Sequence, residues 1–364
     1  MSSQGRTATP GLRWLTSPGR VAGVDLARGL AVLGMLTAHL LSIAPFDGAD
    51  PSTWLDVVNG RSSILFALLA GVSIGLLSAG AGGTCLRVIR ARLAVRAGAV
   101  WLLGVALIST GVPVYVILPA YAVLFLLSLP LLSLGPRPLW AIAAAVAIVS
   151  PLVQPLLDDV LPWESPGGAE VALLIGWHYP FTIWFAFVAA GLAVARSGFG
   201  PRVPLRLVLG GGAAALVAGV GATLIPDEAL SDGWASRALA VAAHSGGLPE
   251  VIGSGGIALA VLGVCLALCR TPAATIVLPL RAVGAMPLSA YTGQILVWAV
   301  WAALALGTTS DLGAFRALNP LPVFVGGTIL LCTVWAVAWG RGPCERIIAV
   351  LASRLIPGPP RARD

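Results

Sequence analysis

The residues best suited to chemistry lie in the first long apolar segment, which carries Asp25, Arg28 and His39. Ionisable side chains are costly inside a membrane and usually face the interior of a helix bundle. On an α-helix, Arg28 and His39 share one face and lie about 16 Å apart along the axis. With Arg28 at the membrane surface, His39 lies just beyond the middle of a core about 30 Å thick. An imidazole there can act as a general base. The alternative is a structural histidine above an Asp25–Arg28 ion pair.

Of the other two histidines, His178 lies seven residues inside the apolar segment 171–195, and His244 lies in the loop before the segment 248–269. His178 belongs to the run Gly-Trp-His-Tyr-Pro, and His244 precedes Glu250 by six residues. We expect both on the extracytoplasmic side, where a substrate could reach them. Each histidine has a structural alternative, which for His244 is a solvated loop position.

Three further polar sites interrupt the apolar pattern. Arg61 opens the second apolar segment, while Tyr291 and Gln294 lie inside the ninth. Tyr291 could be an interfacial anchor, whereas Gln294 is harder to explain without a polar partner. The arginines between residues 87 and 96 are typical of a topology signal, but they could also attract an anionic cytosolic ligand.

The composition is that of a membrane protein. Of 364 residues, 58% are hydrophobic and 10% are charged, against about 25% charged in soluble proteins. This excludes a soluble enzyme, a nucleic-acid-binding protein and a disordered scaffold. All 22 basic residues are arginine, and with the many Ala, Gly and Val residues this is typical of a GC-rich bacterial genome. We therefore expect a multi-pass protein of a bacterial inner membrane, in contact with the lipid bilayer.

The apolar segments predict an all-α polytopic bundle of about ten transmembrane helices. The predicted spans are 24–44, 62–79, 94–111, 113–132, 138–156, 171–195, 204–224, 248–269, 286–306 and 320–340. Residues 1–23 are expected to be a cytoplasmic segment, 24–340 the transmembrane domain and 341–364 a basic cytoplasmic tail.

The charges predict the orientation. If both termini are cytoplasmic, 19 of 22 arginines fall inside and 12 of 15 acidic residues fall outside, as the positive-inside rule expects. The five cysteines form no CxxC pair, so we expect them to be small buried residues and expect no metal.

Several motifs resemble those of the transmembrane acyltransferases. Residues 20–35, with Asp25 and Arg28 and followed by His39, resemble the opening helix of the heparan-α-glucosaminide N-acetyltransferase-like branch and its related bacterial families DUF418 and DUF1624. Residues 60–71 resemble the second helix of that branch, 288–294 a late motif, and 244–256 the bacterial members.

The resemblance implies an acyl-CoA-dependent membrane enzyme. The acyl group, expected to be acetyl, would pass from cytosolic acetyl-CoA to a hydroxyl or amine of a glycan or glycolipid across the membrane. Three sets of residues follow from this expectation. They are catalytic His39, His178 and His244; donor-binding Arg28, Asp25, Gln294 and Tyr291; and acceptor-side Arg61, Trp54 and Glu250.

One departure from the heparan enzymes bears on the mechanism. Those enzymes carry a catalytic histidine in the first luminal loop, shortly before a tryptophan. Here Trp54 follows Pro-Ser-Thr, and that loop has no histidine. His39 instead occupies the first-helix position of the acyltransferase-3 families, which favours transfer assisted by His39.

A multi-pass transporter or flippase for an envelope precursor is the rival prediction, with the buried Asp, Arg and His serving as a substrate or proton site. Against it, the sequence shows no corresponding pair of broken segments in two halves. The sequence leaves open whether the protein forms a homo-oligomer.

Overall fold

The computed structural model describes residues 9–80, 83–231 and 233–358. In that part of the chain every regular element is helical. The ten apolar helices are α1 (Ala22–Leu40), α2 (Arg61–Leu77), α3 (Gly83–Ile108), α4 (Leu118–Ser128), α5 (Pro136–Val160), α6 (Phe181–Ser197), α7 (Val203–Thr223), α8 (Leu248–Leu268), α9 (Pro287–Leu306) and α10 (Leu321–Trp339).

Eight of these helices are long and apolar enough to cross a membrane, when α2 is counted with the 3₁₀ segment Pro51–Val58 before it. Helices α4 and α6 are shorter. The chain is therefore an all-α, polytopic membrane protein, as the apolar segments predicted.

The remaining helices are short and lie at the ends of the bundle. They are Pro10–Leu15, Pro166–Ile175, Gly233–Ala238, Ala273–Ile276, Leu278–Ala285, Leu312–Ala317 and α11 (Pro343–Leu355), with the 3₁₀ segments Pro130–Ser133 and Asp227–Leu230.

Both ends of the described chain lie at the same end of the bundle. Thr9 donates a hydrogen bond to the carbonyl of Val337 at the end of α10. Arg92 of α3 donates to the carbonyl of Ile356, just after α11. Because Arg20, Arg28, Arg96 and Arg341 meet here, we call this the arginine-rich end. A chain that crosses the membrane an even number of times has both ends on the same side, which agrees with the ten predicted spans.

Two predicted spans are broken. In 113–132 the helix starts only at Leu118, because Gly111 has a positive φ of 69° and Pro113 has no N–H to donate. In 171–195 the chain leaves the helix at Gly176, where φ is 72°, and α6 starts after Pro180. His178 therefore lies in a break between helices instead of seven residues inside one.

Side chains satisfy backbone groups at the first break. The N–H of Ile117 donates to the hydroxyl oxygen of Tyr291 at 3.3 Å, and the hydroxyl of Tyr179 donates to the carbonyl of Tyr115 at 3.2 Å. Non-helical backbone is tolerated at membrane depth only where protein buries it or where it lines a cavity. These contacts explain how this break is accommodated.

Glycines let the helices that carry the polar residues pack closely. A Cβ on Gly71 would overlap the carbonyl of Val188, so α2 and α6 approach backbone to backbone. A Cβ on Gly284 would likewise overlap the carbonyl of Asp25. The contact at Gly71 is the small-residue packing expected of membrane helices. The contact at Gly284 fixes the depth of Asp25 and Arg28 in the bundle.

Candidate functional site

A cavity of about 670 Å³ opens at the arginine-rich end, between α1, α2, α3, α4, α9 and α11. Small-molecule sites usually measure about 300–1,000 Å³. We call it the arginine cavity. Its charged lining is four arginines against two carboxylates, a net charge of +2: Arg20, Arg28, Arg96, Arg341, Asp25 and Glu345. Its lining therefore favours an anionic ligand.

Asp25 is the centre of an ion-pair network in the wall of this cavity. Its carboxylate accepts hydrogen bonds from Arg20 at 2.8 and 2.9 Å and from Arg28 at 3.3 Å. Arg28 also donates to the carbonyl of Gly284 and to the hydroxyl of Ser73, both at 2.8 Å. The Asp25–Arg28 pair considered from sequence is present, and Arg20 makes the shorter contacts.

The arginines between residues 87 and 96 serve different roles. Only Arg96 lines the cavity, and its buried Nε has no hydrogen-bond partner within the described residues. Arg90 donates to the carbonyl of Leu129, and Arg92 donates to that of Ile356, each at 3.0 Å. These two arginines bind the carbonyls that end α4 and α11, which is a common structural role for basic side chains.

Glu345 takes part in the fold at the mouth of the cavity. Its Oε1 accepts from the backbone N–H groups of Leu288 and Ser289, at 2.7 and 3.1 Å, in the first turn of α9. A carboxylate at a helix N-terminus is favoured by the helix dipole. Glu345 therefore fixes α11 against α9 and leaves the arginines as the ligand-facing charges.

A second cavity, of about 60 Å³, lies toward the other end of α1. Both His39 and His244 line it, so we call it the histidine cavity. Tyr179, Asn59 and Tyr291 also contribute to its lining. This volume is that of about two water molecules, enough for one small functional group. The structure thus brings together two of the three histidines predicted to be catalytic.

Glu250 shapes the loop that carries His244. Its carboxylate accepts from the backbone N–H groups of His244 and Gly246, at 2.6 and 2.7 Å, and from the hydroxyl of Ser245 at 3.2 Å. It binds the backbone of His244 rather than the imidazole. Burial lowers the pKa of the His244 side chain below its ordinary value. The lowered pKa favours the neutral imidazole, the state a base requires.

The third histidine lies apart. His178 is exposed and stacks on Tyr115, with ring centroids 3.5 Å apart, and it does not line the histidine cavity. Its neighbour Tyr179 does, and the ring of Tyr179 meets that of His244 edge-on at 6.0 Å. The Gly-Trp-His-Tyr-Pro run therefore supplies its tyrosine to the cavity rather than its histidine.

Three other predicted residues lie outside both cavities. Gln294 is buried between α9 and α10, where it donates to Thr328 at 3.2 Å. Trp54 is 52% exposed in the Pro51–Val58 segment. Arg61 starts α2 and donates to the carbonyl of Val57 at 3.4 Å. The structure gives Gln294 a helix-packing contact and leaves Trp54 and Arg61 near the histidine end.

Tyr291 lines both cavities. Sequence reasoning placed it on the donor side alone, and it did not single out Tyr121, which also lines the arginine cavity. The rarity of tyrosine, with four in the chain, is the signal that could have drawn attention to Tyr121. Within the described residues, no group of three His, Cys, Asp or Glu side chains is placed to hold a metal ion.

The fold and these cavities define a multi-pass membrane protein with a cationic cavity at one end and a histidine-lined cavity toward the other. Residues 20–221 match the family model "Heparan-alpha-glucosaminide N-acetyltransferase, catalytic". Because this match covers more than half of the chain, the protein belongs to that family of membrane acetyltransferases. Residues 205–354 match the family "Protein of unknown function (DUF418)". No curated protein and no solved structure matches the chain.

Proposed function

We propose that this protein transfers an acetyl group from cytosolic acetyl-CoA to a hydroxyl or amine of a glycan or glycolipid on the other side of a bacterial inner membrane. The observation that carries the proposal is the position of Tyr291 in the walls of both cavities. A donor in the arginine cavity would place its reactive end beside the two histidines.

The arginine cavity suits the donor in size and charge. Arg28, Arg96 and Arg341 would face the phosphates of CoA, with Asp25 holding Arg28 in place. Charge-assisted contacts of this kind are roughly twice as strong as neutral hydrogen bonds. Apolar residues of the same cavity, Leu118 and Phe125 among them, would pack along the pantetheine arm. The reacting thioester would then lie near Tyr291.

The histidine cavity suits proton removal from the acceptor. His39 or His244 would take the proton of the attacking hydroxyl or amine as the new bond to the acetyl carbon forms. Glu250 would hold His244 in position through the loop backbone, and His178, Trp54 and Arg61 would lie on the approach of the acceptor. We further propose that residues 24–340 form the catalytic domain, flanked by cytoplasmic segments 1–23 and 341–364.

The test is whether purified protein in detergent binds and slowly hydrolyses acetyl-CoA, with water as the acceptor. We expect saturable binding of acetyl-CoA that free CoA abolishes by competition. We also expect acetyl-CoA to be hydrolysed faster than in buffer alone. A protein that neither binds nor hydrolyses acetyl-CoA is not an acetyl-CoA-dependent transferase.

A transporter or flippase is the second candidate, and the break at residues 109–117 favours it. Non-helical segments between cavities facing opposite ends occur in transporters, and Ile117 of this break lines the histidine cavity. A transporter would move its substrate into proteoliposomes without consuming acetyl-CoA. Acetyl-CoA hydrolysis and substrate flux measured on one preparation therefore separate the two functions.

A further inference from the structure

We propose that the hydroxyls of Tyr121 and Tyr291 form the oxyanion site of the reaction, donating hydrogen bonds to the carbonyl oxygen of the acetyl thioester. The inference rests on the proposed function, because it places an acyl-CoA in the arginine cavity. Sequence reasoning assigned Tyr291 only to donor binding and gave Tyr121 no role.

The hydroxyl of Tyr121 is buried and unsatisfied. The residue is 3% exposed, and its oxygen has no hydrogen-bond partner within the described residues. Leaving a buried polar group unpaired costs about 1–3 kcal/mol, so such a group calls for an explanation. Phe66 and Phe125 pack against the ring, at centroid distances of 5.4 and 6.3 Å, and all three side chains line the arginine cavity. The phenol is thus held in the wall of the donor site.

Tyr291 has a proton available to donate. Its oxygen already accepts the N–H of Ile117, which leaves the hydroxyl hydrogen free for a second partner. The residue is 4% exposed and lines both cavities.

Tyr121 and Tyr291 are both linked to Ile117 at the start of α4. Tyr121 lies one helical turn after Ile117, and its N–H donates to the carbonyl of Ile117 at 3.2 Å. The N–H of that same Ile117 binds the hydroxyl of Tyr291. Tyr121 and Tyr291 both line the arginine cavity, and Ile117 and Tyr291 both line the histidine cavity, so the two cavities share a wall at Tyr291. This is where a thioester must lie if its carbonyl carbon is to meet an acceptor activated by His39 or His244.

The chemistry needs such donors. As the acceptor oxygen or nitrogen bonds to the carbonyl carbon, the C=O electron pair moves to oxygen, and the acceptor proton passes to an imidazole. The oxyanion accepts hydrogen bonds from the two tyrosines. It then re-forms the C=O bond while the C–S bond breaks, and CoA leaves as a thiolate that takes up the proton. Donors fixed in advance in a buried site are often the largest catalytic contribution.

The experiment compares Tyr121→Phe, Tyr291→Phe and the control Tyr115→Phe. Tyr115 is 55% exposed and lines neither cavity. Tyr121→Phe is the cleaner variant, because its hydroxyl has no partner to lose among the described residues, whereas Tyr291→Phe also frees the N–H of Ile117. Acetyl-CoA hydrolysis is measured together with binding of CoA and the infrared carbonyl stretch of bound acetyl-CoA labelled with ¹³C at the carbonyl.

We expect each cavity variant to slow hydrolysis about 10²–10³-fold, as loss of one oxyanion donor does, while CoA binding is unchanged. The carbonyl stretch should move to higher frequency in both, and Tyr115→Phe should match wild type in every measurement. A wild-type carbonyl stretch in Tyr121→Phe overturns the proposal, as does wild-type turnover. Wild-type protein that fails to bind acetyl-CoA would contradict the proposed function itself. Wild-type binding with unaffected Tyr121→Phe protein would contradict the oxyanion proposal alone.

Discussion

The carboxylate of Glu250 accepts a 2.6 Å hydrogen bond from the backbone N–H of His244, and His244 has a positive φ of 64°. Few non-glycine residues adopt this conformation, which costs about 1–3 kcal/mol where the surroundings impose it. Because Glu250 also accepts from Gly246, one carboxylate holds the whole turn. The strained turn directs His244 into a cavity that His39 also lines.

Glu250→Gln should therefore loosen the turn. The glutamine amide keeps one acceptor oxygen but places an NH₂ donor against the loop N–H groups. An unsatisfied buried donor costs about 1–3 kcal/mol. We expect a lower melting temperature and slower acetyl-CoA hydrolysis than in the control Glu164→Gln, whose side chain is exposed. Equal melting temperatures for the two variants would show that the carboxylate is not needed. His244→Gly, which accepts the positive φ but lacks the imidazole, then tests the side chain alone.

His39→Ala should slow acetyl transfer and hydrolysis about 10²–10⁴-fold, the usual contribution of a general base. Arg316 binds the carbonyl of His39 at 2.8 and 3.0 Å, so replacing the side chain leaves this helix-end contact in place. Expression and acetyl-CoA binding should stay close to normal. His39→Asn, which keeps polarity but removes basicity, should be equally slow.

Full activity of His39→Asn would show that proton removal is not the role of His39. Loss of activity in His178→Ala alone would move the chemistry to the exposed His178.

Arg96→Ala should weaken acetyl-CoA binding about 10- to 100-fold, since a hydrogen bond to a charged group contributes about 1.5–3 kcal/mol. The matched control is Arg90→Ala on the same helix, because Arg90 binds the end of α4 and does not line the cavity. It should lower thermal stability with little effect on binding. Equal loss of binding in both variants would indicate a general charge effect rather than a contact with the phosphates.

Gly71→Ala should destabilise the bundle. Its Cβ would overlap the carbonyl of Val188, and overpacking of this kind costs about 1–3 kcal/mol or more. The control Gly98→Ala lies on α3 with open space around it and should be neutral or stabilising, because alanine is the better helix former. Melting temperatures in detergent compare the two, and an unchanged value for Gly71→Ala would contradict the close packing of α2 and α6.

Reporter fusions test the orientation, which stays a prediction from the arginine distribution. Fusions after residues 85, 137, 200 and 275 should report the cytoplasm, and fusions after 50, 165, 235 and 312 the opposite side. An extracytoplasmic signal at 137 would contradict the paths of α3, α4 and α5. The same signal at 275 would place the loop of His244 on the cytoplasmic side.

The sequence predicted those features that depend on one helix at a time. Hydropathy was sufficient for the membrane class, and helical periodicity for the contact between Asp25 and Arg28, three residues apart. The family was reached in the same way, because its motifs lie within single helices.

The cavities could not be predicted in this way, because each is formed by several helices. Arg90 and Arg96 look equivalent in sequence, yet one binds the end of α4 and the other lines the arginine cavity. His178 and His244 also look alike until the break at Gly176 turns His178 outward. Such differences arise from tertiary packing, which short-range periodicity does not encode.

The separation of the two cavities at Tyr291 has a bioenergetic consequence. Moving one elementary charge across a membrane requires about 2.3 kcal/mol per 100 mV of membrane potential. In the proposed reaction the acetyl group passes to the acceptor while the acceptor's proton passes back to the CoA thiolate, so neither side gains or loses charge, and the anionic CoA stays where it entered. Transfer by this route would therefore neither consume the membrane potential nor be driven by it. The free energy released when the thioester is cleaved would alone drive the transfer.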